Sequence, residues 1–262
     1  MPDRDRLARL LNTEYFGKAL FCLKRIDSTN DFLKSRAAEL PSGAAALADE
    51  QPAGRGRRGN VWLCAPGEAV AMSILVKPVE VAAAPLIAPT CGLAAAKALN
   101  SLCGGGFLIK WPNDLVFAGK KIGGILCESI CSGGTCSVVC GFGINLMQNE
   151  AYFESCGLPF ATSILVSTGA APAYEDVAAA ILNAFEALYG QTAGGGSAGI
   201  LSEYSQLCVT LGRPVRVFYP DKTVTGIASA VNPDGSLTVK TAQGDICVNS
   251  GEVSVRGVMG YS

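Results

Sequence analysis

The chain has 262 residues, which is enough for one large domain or two unequal ones with a sizeable hydrophobic core. Its 21 lysines and arginines against 22 aspartates and glutamates give a formal charge of −1, which excludes a polybasic nucleic-acid-binding protein. The absence of histidine excludes Ser-His-Asp and Cys-His nucleophilic sites and histidine-based zinc sites.

The first half of the chain alternates strand and helix patterns. Residues 19–26 are predicted to form a strand, and Ser28, Thr29 and Asn30 lie at its junction with a helix predicted over 31–40. Residues 51–60, rich in glycine and arginine, are predicted to form a loop. Further strands are predicted at 44–50, 69–76, 107–110, 115–117, 121–129 and 135–141, with a long helix over 82–103.

The second half changes character near residue 210. Helices are predicted over 174–189 and 198–211. Five short strands follow, at 215–219, 223–231, 236–241, 245–248 and 252–255, a spacing typical of a small SH3-like barrel. The sequence therefore predicts two domains, 1–210 and 211–262.

The cysteines favour a reducing compartment. There are eleven, an odd number, and no two are spaced as a CxxC pair. Cys127, Cys131, Cys136 and Cys140 are close in sequence, but their spacing fits no structural zinc pattern. We therefore interpret the cysteines as reduced thiols and these four as small buried apolar side chains.

No segment has the pattern of a membrane span. The most apolar stretch, residues 81–99, is interrupted by Pro85, Pro89 and Lys97 before roughly 18 apolar residues accumulate. The N-terminus is charged where a signal peptide would carry its apolar core. These observations predict a cytoplasmic protein without a membrane partner.

Residues 54–59, with the sequence GRGRRG, suggest a site for an anionic ligand. Glycine lets the backbone approach a ligand closely, and the planar arginine side chain matches phosphate or carboxylate oxygens in pairs. Taken alone, the motif also fits a solvated loop or an RNA-binding patch.

Three further motifs strengthen the prediction of a site for an anionic ligand. Residues 110–114 (KWPND) combine a lysine suited to phosphate with an Asn-Asp pair suited to Mg²⁺ or an amine. Lys121 lies beside Gly123 and Gly124 at a strand start, and residues 141–145 read GFGIN. Each motif alone fits a hairpin with a charged tip, but the full set, in this order and at these separations, is hard to assign to chance.

This set of motifs resembles the biotin protein ligases, specifically the bacterial biotin–[acetyl-CoA-carboxylase] ligases of the monofunctional type. The combination of GRGRRG with KWPND is specific to that family. The resemblance covers most of the chain and rests on residues 28–30, Gln51, 54–59, Trp62, 110–114, 121–128, 141–145 and 251–256. It implies an α+β fold. Residues 1–210 would form a mixed, mostly antiparallel sheet with helices, similar to the catalytic domain of class II aminoacyl-tRNA synthetases. The small SH3-like β-barrel at 211–262 would follow.

The resemblance also implies a two-step reaction. Biotin and MgATP would give biotinyl-5′-AMP and pyrophosphate, and biotin would then pass to a lysine of the biotin carboxyl carrier domain of acetyl-CoA carboxylase or a related carboxylase. ATP, Mg²⁺ and biotin are thus the expected ligands. Because the carboxylate of biotin itself attacks phosphorus, no side-chain nucleophile is needed, which agrees with the absence of histidine.

The resemblance assigns a role to each candidate site residue. Arg57, Lys121 and Asp114 are the expected catalytic groups, with Asp114 accepting or orienting the proton of the acceptor lysine. Asn145 is also expected to contact Mg²⁺ through the nucleotide. The expected biotin-binding residues are Ser28, Thr29, Asn30, Gln51, Arg55, Gly56, Arg57, Lys121, Gly123, Gly124, Gly141 and Gly143. The expected ATP-binding residues are Arg57, Arg58, Trp62, Lys110, Asn113 and Asn145.

Some alternatives remain open at this point. A lipoate–protein ligase shares the chemistry but usually carries a histidine-containing signature, and an RNA-binding or adaptor module would use the arginine-rich loop. The 27 residues before Ser28 are too few for a three-helix DNA-binding domain, so we expect no DNA partner. A homodimer is possible. Phe142 either narrows the biotin pocket or points into the core.

Overall fold

A seven-stranded mixed sheet forms the larger part of the molecule. The structure, a computed structural model, describes residues 1–62, 65–193, 197–249 and 254–257. The strand order is β1-β2-β3-β7-β6-β5-β4, with β1 and β2 parallel and every other pair antiparallel. The strands are β1 Leu20–Arg25, β2 Ala45–Glu50, β3 Ala69–Glu80, β4 Phe107–Lys110, β5 Asp114–Phe117, β6 Lys120–Ser132 and β7 Thr135–Asn145. The predicted α+β class with a mostly antiparallel sheet is confirmed.

Seven helices accompany the two sheets in the described part of the chain. They are α1 Arg4–Leu10, α2 Thr29–Lys34, α3 Ala84–Cys103, α4 Glu150–Ser155, α5 Ile164–Thr168, α6 Tyr174–Ala193 and α7 Ser197–Leu207. The sequence patterns missed α1, α4 and α5, because helices of five to seven residues show little periodicity. The helices predicted to end at 40 and 211 end at Lys34 and Leu207.

The main core lies between one face of the sheet and the long helices α3 and α6. At Gly92, α3 comes so close to α7 that an added Cβ would lie 3.4 Å from the ring of Tyr204. Among the described helices, α3 is long and apolar enough to cross a membrane, but 61% of its most apolar 18-residue segment is buried inside the protein. Its composition is therefore that of a core helix. The short helix α2 covers part of the opposite face and buries Leu33 there.

Five strands near the C-terminus form a second, antiparallel sheet. They are β8 Pro214–Phe218, β9 Thr223–Val231, β10 Leu237–Thr241, β11 Gly244–Val248 and β12 Ser254–Gly257, in the order β11-β10-β9-β8-β12. A side-chain contact joins the two sheets, since Trp111 Nε1 donates a hydrogen bond to the Gly235 carbonyl at 3.1 Å. Residues 252 and 253, part of the last predicted strand, lie outside the described residues.

The prediction that all cysteines are reduced is wrong for one pair. Cys131 and Cys136 face each other across the β6–β7 hairpin, with Cα atoms 4.0 Å apart, and are joined by a disulfide. The antiparallel register brings them together, which spacing along the chain does not reveal. Cys140 is buried as expected, and Cys127 is partly buried.

The hydroxyl of Tyr204 provides a test of the core. It is fully buried and has no hydrogen-bond partner among the described residues. Because an unpaired buried hydroxyl destabilises the folded state, Tyr204→Phe is expected to raise the free energy of unfolding in urea by about 1 kcal/mol. Tyr174→Phe is the matched control, since Tyr174 Oη bonds Ala48 O and Ala71 O and its removal should destabilise. A loss of stability in Tyr204→Phe would contradict the analysis.

Candidate active site

A cavity of about 840 Å³ lies on the face of the sheet that carries α2. All of the predicted site residues line it except Gly123. The lining ones are Ser28, Thr29, Asn30, Gln51, Arg55, Gly56, Arg57, Arg58, Trp62, Lys110, Asn113, Asp114, Lys121, Gly124, Gly141, Gly143 and Asn145. The structure thus brings residues from five separate sequence motifs into one volume.

Gly123 does not line the cavity, contrary to expectation. A Cβ at this position would lie 2.6 Å from the Gly143 carbonyl oxygen and 2.8 Å from Ile144 Cδ1, on the neighbouring strand β7. Gly123 is therefore needed for the close approach of β6 and β7.

The cavity floor is a row of small residues across the central strands. Gly143 and Gly124 are neighbours in register on β7 and β6, and Asp114 continues the row on β5. A Cβ at Gly143 would lie 2.7 Å from Trp62 Cε2, so the indole packs directly on bare backbone. Phe142, between the two floor glycines, belongs to the core on the opposite face, which settles the direction of its side chain.

Uncharged hydrogen-bonding groups surround one end of the cavity. Ser28 caps α2, its Oγ accepting a hydrogen bond from the Asp31 amide at 3.3 Å. The Thr29 amide donates to Gln51 Oε1 at 2.7 Å. Because this bond holds the amide oxygen of Gln51 against α2, its side-chain NH₂ group is left as a donor at the cavity wall.

Ser73 is a site residue that the motifs did not reveal. It is fully buried on β3, and its Oγ lies 2.7 Å from Thr29 Oγ1 and donates to Asn30 Oδ1 at 2.6 Å. The available signal was a lone hydroxyl within the apolar strand predicted at 69–76.

Glu128 is a second residue that the roles above did not include. Its carboxylate accepts hydrogen bonds from Asn30 Nδ2 at 2.8 Å and Lys34 Nζ at 2.7 Å, and pairs with Arg55 at 3.0 Å. Burial alone would raise the pKa of Glu128, but the bonds from Lys34 and Asn30 and the charge of Arg55 hold it below its usual value. Glu128 is therefore ionised at neutral pH.

The glycine-arginine loop folds as a short 3₁₀ turn, Arg57–Gly59. Arg57 is partly buried, and its guanidinium donates to Asn113 Oδ1 at 2.9 Å. Burial lowers the pKa of Arg57, while the Asp114 carboxylate acts to raise it. Arg58 has a φ of +58°, and its exposed side chain lines the cavity.

Positive charge dominates the other end of the cavity. Arg57, Lys121 and the buried Lys110 lie there, and Arg216 reaches the cavity from β8 of the second sheet. Asp114, the one carboxylate among the lining residues, pairs with Lys121 Nζ at 2.5 Å. This excess of cations suits a polyphosphate.

Arg216 was not predicted from the sequence, where no motif surrounds it. Of the C-terminal motif at 251–256, which carries part of the family resemblance, residues 251–253 and the side chains of 254–256 lie outside the described part.

Asn145 is held by its own neighbours. Its Nδ2 donates to the Thr162 carbonyl at 2.9 Å, and its Oδ1 accepts from Gln148 Nε2 at 3.3 Å. One lone pair of the amide oxygen therefore remains for a ligand.

Three thiols form a separate group on the reverse side of the sheet. The sulfur atoms of Cys91, Cys127 and Cys140 all lie within 4.8 Å of one another. Hydrogen bonds from the Cys140 and Cys91 thiols hold the pKa of Cys127 well below its usual range. Because Mg²⁺ prefers oxygen ligands, this group is not a magnesium site.

Comparisons with known proteins agree with this geometry. The family model described as biotin/lipoate A/B protein ligase family matches residues 22–145, and biotin protein ligase C terminal domain matches 210–256. The chain is 32% identical over 239 residues to a biotin–[acetyl-CoA-carboxylase] ligase of Paracoccus denitrificans, covering 90% of this chain and 100% of the relative. It is 30% identical over 226 residues to the bifunctional ligase/repressor BirA of Escherichia coli, covering 86% and 70% respectively.

A solved structure is also similar. The biotin protein ligase of Aquifex aeolicus in complex with biotin and ATP superposes with a TM-score of 0.78 at 29% identity, covering 92% of this chain and 99% of that one. The likeness extends over nearly the whole length of both chains.

The packing of Trp62 on Gly143 can be tested directly. Gly143→Ala places a methyl group where the indole lies, so we expect displacement of Trp62 and faster quenching of its fluorescence by acrylamide. Trp111 is 2% exposed and should remain protected. Gly190→Ala is the matched control, because a Cβ there meets nothing within 4 Å. Equal quenching in both variants would show that the position of the Trp62 indole does not depend on the absence of a side chain at residue 143.

Proposed function

The chain belongs to the biotin protein ligases, and from this premise we propose how its cavity performs the reaction. The protein activates biotin with ATP to biotinyl-5′-AMP, releases pyrophosphate, and transfers biotin to a lysine of a carrier protein. One observation carries the assignment of roles. Amide and hydroxyl groups gather around Gln51 and Thr29, where Arg55 is paired with carboxylates, while Arg57, Lys110 and Lys121 line the cavity near Asn113 and Asp114.

We assign the uncharged end to biotin. The free NH₂ group of Gln51 and the hydroxyls of Ser28 and Thr29 suit the carbonyl and NH groups of a ureido ring. The glycines at 141 and 143 let Asn30 and Trp62 pack close to the sheet, and the flat bicycle and its acyl chain would lie beside these two side chains. Asn30, Arg55, Gly56 and Gly124 complete the wall, and biotin's carboxylate would then point toward Lys121.

We assign the cationic end to the nucleotide. In the first step a biotin carboxylate oxygen forms a bond to the α-phosphorus of ATP, and the bond to pyrophosphate breaks. Arg57 and Lys121 stabilise the charge that spreads over the phosphate oxygens, and Lys110 neutralises the leaving pyrophosphate. The rest of the nucleotide would be surrounded by the side chains of Trp62, Asn113, Arg58 and Asn145.

Asp114 supplies a base for the second step. Its carboxylate is paired with Lys121 in the free protein. When Lys121 turns to the acyl phosphate, the Asp114 carboxylate accepts a proton from the incoming lysine. The neutral amine then attacks the biotinyl carbonyl carbon, and AMP leaves.

The donor set near the phosphates fits Mg²⁺. This ion commonly takes one or two protein oxygen ligands and completes its shell with phosphate and water. Asp114 and the remaining lone pair of Asn145 are the oxygen donors that would hold it. When bound, the ion neutralises phosphate charge during adenylate formation.

The remaining features are inferences of the same kind. Family membership implies a biotin-carrying carboxylase as partner, and we propose the carrier domain of acetyl-CoA carboxylase. We also propose a cytoplasmic location and a division into a ligase domain, 1–210, and a C-terminal domain, 211–262. Lack of DNA binding and formation of a homodimer stay predictions.

Exchange of labelled pyrophosphate into ATP tests the first step without a carrier protein. We expect exchange with biotin and background rates with lipoate or without acid, because the cavity offers donors for a ureido ring. Lipoate-dependent exchange would favour the other branch of the matched family. No exchange with either acid in folded protein would contradict the ligase assignment.

Lys121→Met tests the proposed phosphate contact. Removing this cation should slow adenylate formation by about 100-fold or more, the usual cost of losing one group that stabilises transition-state charge. Lys120→Met is the matched control, because Lys120 is the exposed neighbour on the same strand and does not line the cavity. Wild-type rates in Lys121→Met, measured by single-turnover formation of adenylate, would remove Lys121 from the mechanism.

A further inference from the structure

Glu128 lies behind the cavity wall. It is on β6, its side chain is 21% exposed, and it does not line the cavity, although Asn30 and Arg55 in front of it do. It contacts three cationic or amide donors from α2 and the glycine-arginine loop, which are otherwise separate in sequence. A ligand in the cavity would touch Asn30 and Arg55, and not Glu128 itself.

We propose that Glu128 is a positioning residue that fixes the biotin end of the cavity and anchors the glycine-arginine loop. The inference rests on the proposed function, because it assigns the neighbouring end of the cavity to biotin. Glu128 acts through the groups it holds and takes no part in bond making or breaking.

A continuous series of contacts connects Glu128 to the proposed biotin donors. Glu128 Oε2 accepts from Asn30 Nδ2, and Asn30 Oδ1 accepts from Ser73 Oγ. Ser73 Oγ lies beside Thr29 Oγ1, and the Thr29 amide holds Gln51. The orientation of Gln51 thus depends on a chain of contacts that ends at a fixed carboxylate.

The second connection is to the loop. Arg55, the first arginine of the glycine-arginine loop, forms ion pairs with both Glu128 and Asp31, and its distance to Asp31 is 2.5 Å. At the other side of the segment, Arg57 is held by Asn113. The loop therefore has one anchor at the biotin end of the cavity and one at the nucleotide end.

A carboxylate is required here because every partner is a donor. Asn30, Lys34 and Arg55 present N–H groups, and only an ionised carboxylate offers acceptors on both oxygens. Glu128→Gln places an NH₂ group against one of these donors and removes the charge that attracts Arg55. Glu128→Asp keeps the charge and both acceptors on a shorter side chain.

The first experiment measures ligand binding and turnover. In Glu128→Gln we expect the dissociation constant for biotin, measured by calorimetry without ATP, to rise about tenfold, equal to about 1.4 kcal/mol. The KM for ATP and kcat for adenylate formation should stay within about twofold, because Arg57, Lys110 and Lys121 are unchanged. Glu128→Asp should recover part of the biotin affinity. Glu203→Gln, which breaks an exposed pair with Lys97 far from the cavity, is the matched control.

The second experiment measures how well the glycine-arginine loop is anchored, and it does not depend on enzymatic activity. Trypsin cleavage after Arg57 and Arg58, followed by mass spectrometry, should be several-fold faster in Glu128→Gln than in wild type or Glu203→Gln. Unchanged biotin affinity with unchanged cleavage would overturn the proposal. An equal loss of affinity for biotin and for ATP, together with a lowered unfolding temperature, would also overturn it, because that pattern indicates that the substitution destabilises the whole fold. If the wild-type protein binds no biotin, the proposed function fails, while the cleavage rates still report on the anchor.

Discussion

The antiparallel pairing of β7 with β3 on one side and β6 on the other is the constraint on which the site depends. It aligns Ala71, Gly143 and Gly124 in one row and Ser73 and Gly141 in the next, so that the sheet carries only small side chains beneath the cavity. Side chains from outside the sheet then fill the space above it. Trp62 packs on Gly143, and the amide of Asn30 lies against Gly141.

The same strands support the core on their opposite face. Alternation along β7 directs Phe142 into the apolar cluster beneath α3 and α6, while its two glycine neighbours face the cavity. A one-residue slip of β7 would bury the glycines and expose the phenylalanine. Burial of the core residues therefore fixes the register on which the ligand face depends.

Charge is distributed over the cavity according to the chemistry of each end. The end that we assign to biotin has amides and hydroxyls, and its charged groups, Arg55 and Lys34, are paired with the carboxylates of Glu128 and Asp31. The end that we assign to the nucleotide has cations in excess, with Asp114 as the one lining carboxylate. This division lets a chain without histidine position two substrates and stabilise phosphate charge, because the reacting carboxylate belongs to biotin.

The sequence by itself determined the element types and the motifs that identify the family. Periodicity and turn residues are local properties, so the long helices and most strands were predictable, as were the GRGRRG and KWPND segments. Only the tertiary structure decided the contacts of Ser73 and Glu128, because their hydrogen-bond partners lie 43 and 98 residues away in the sequence. The tertiary structure also decided that Gly123 packs against β7 and does not line the cavity. It also decided the Cys131–Cys136 bond and the reach of Arg216 into the cavity. These features depend on strand register and packing between distant segments, which no local pattern of residues records.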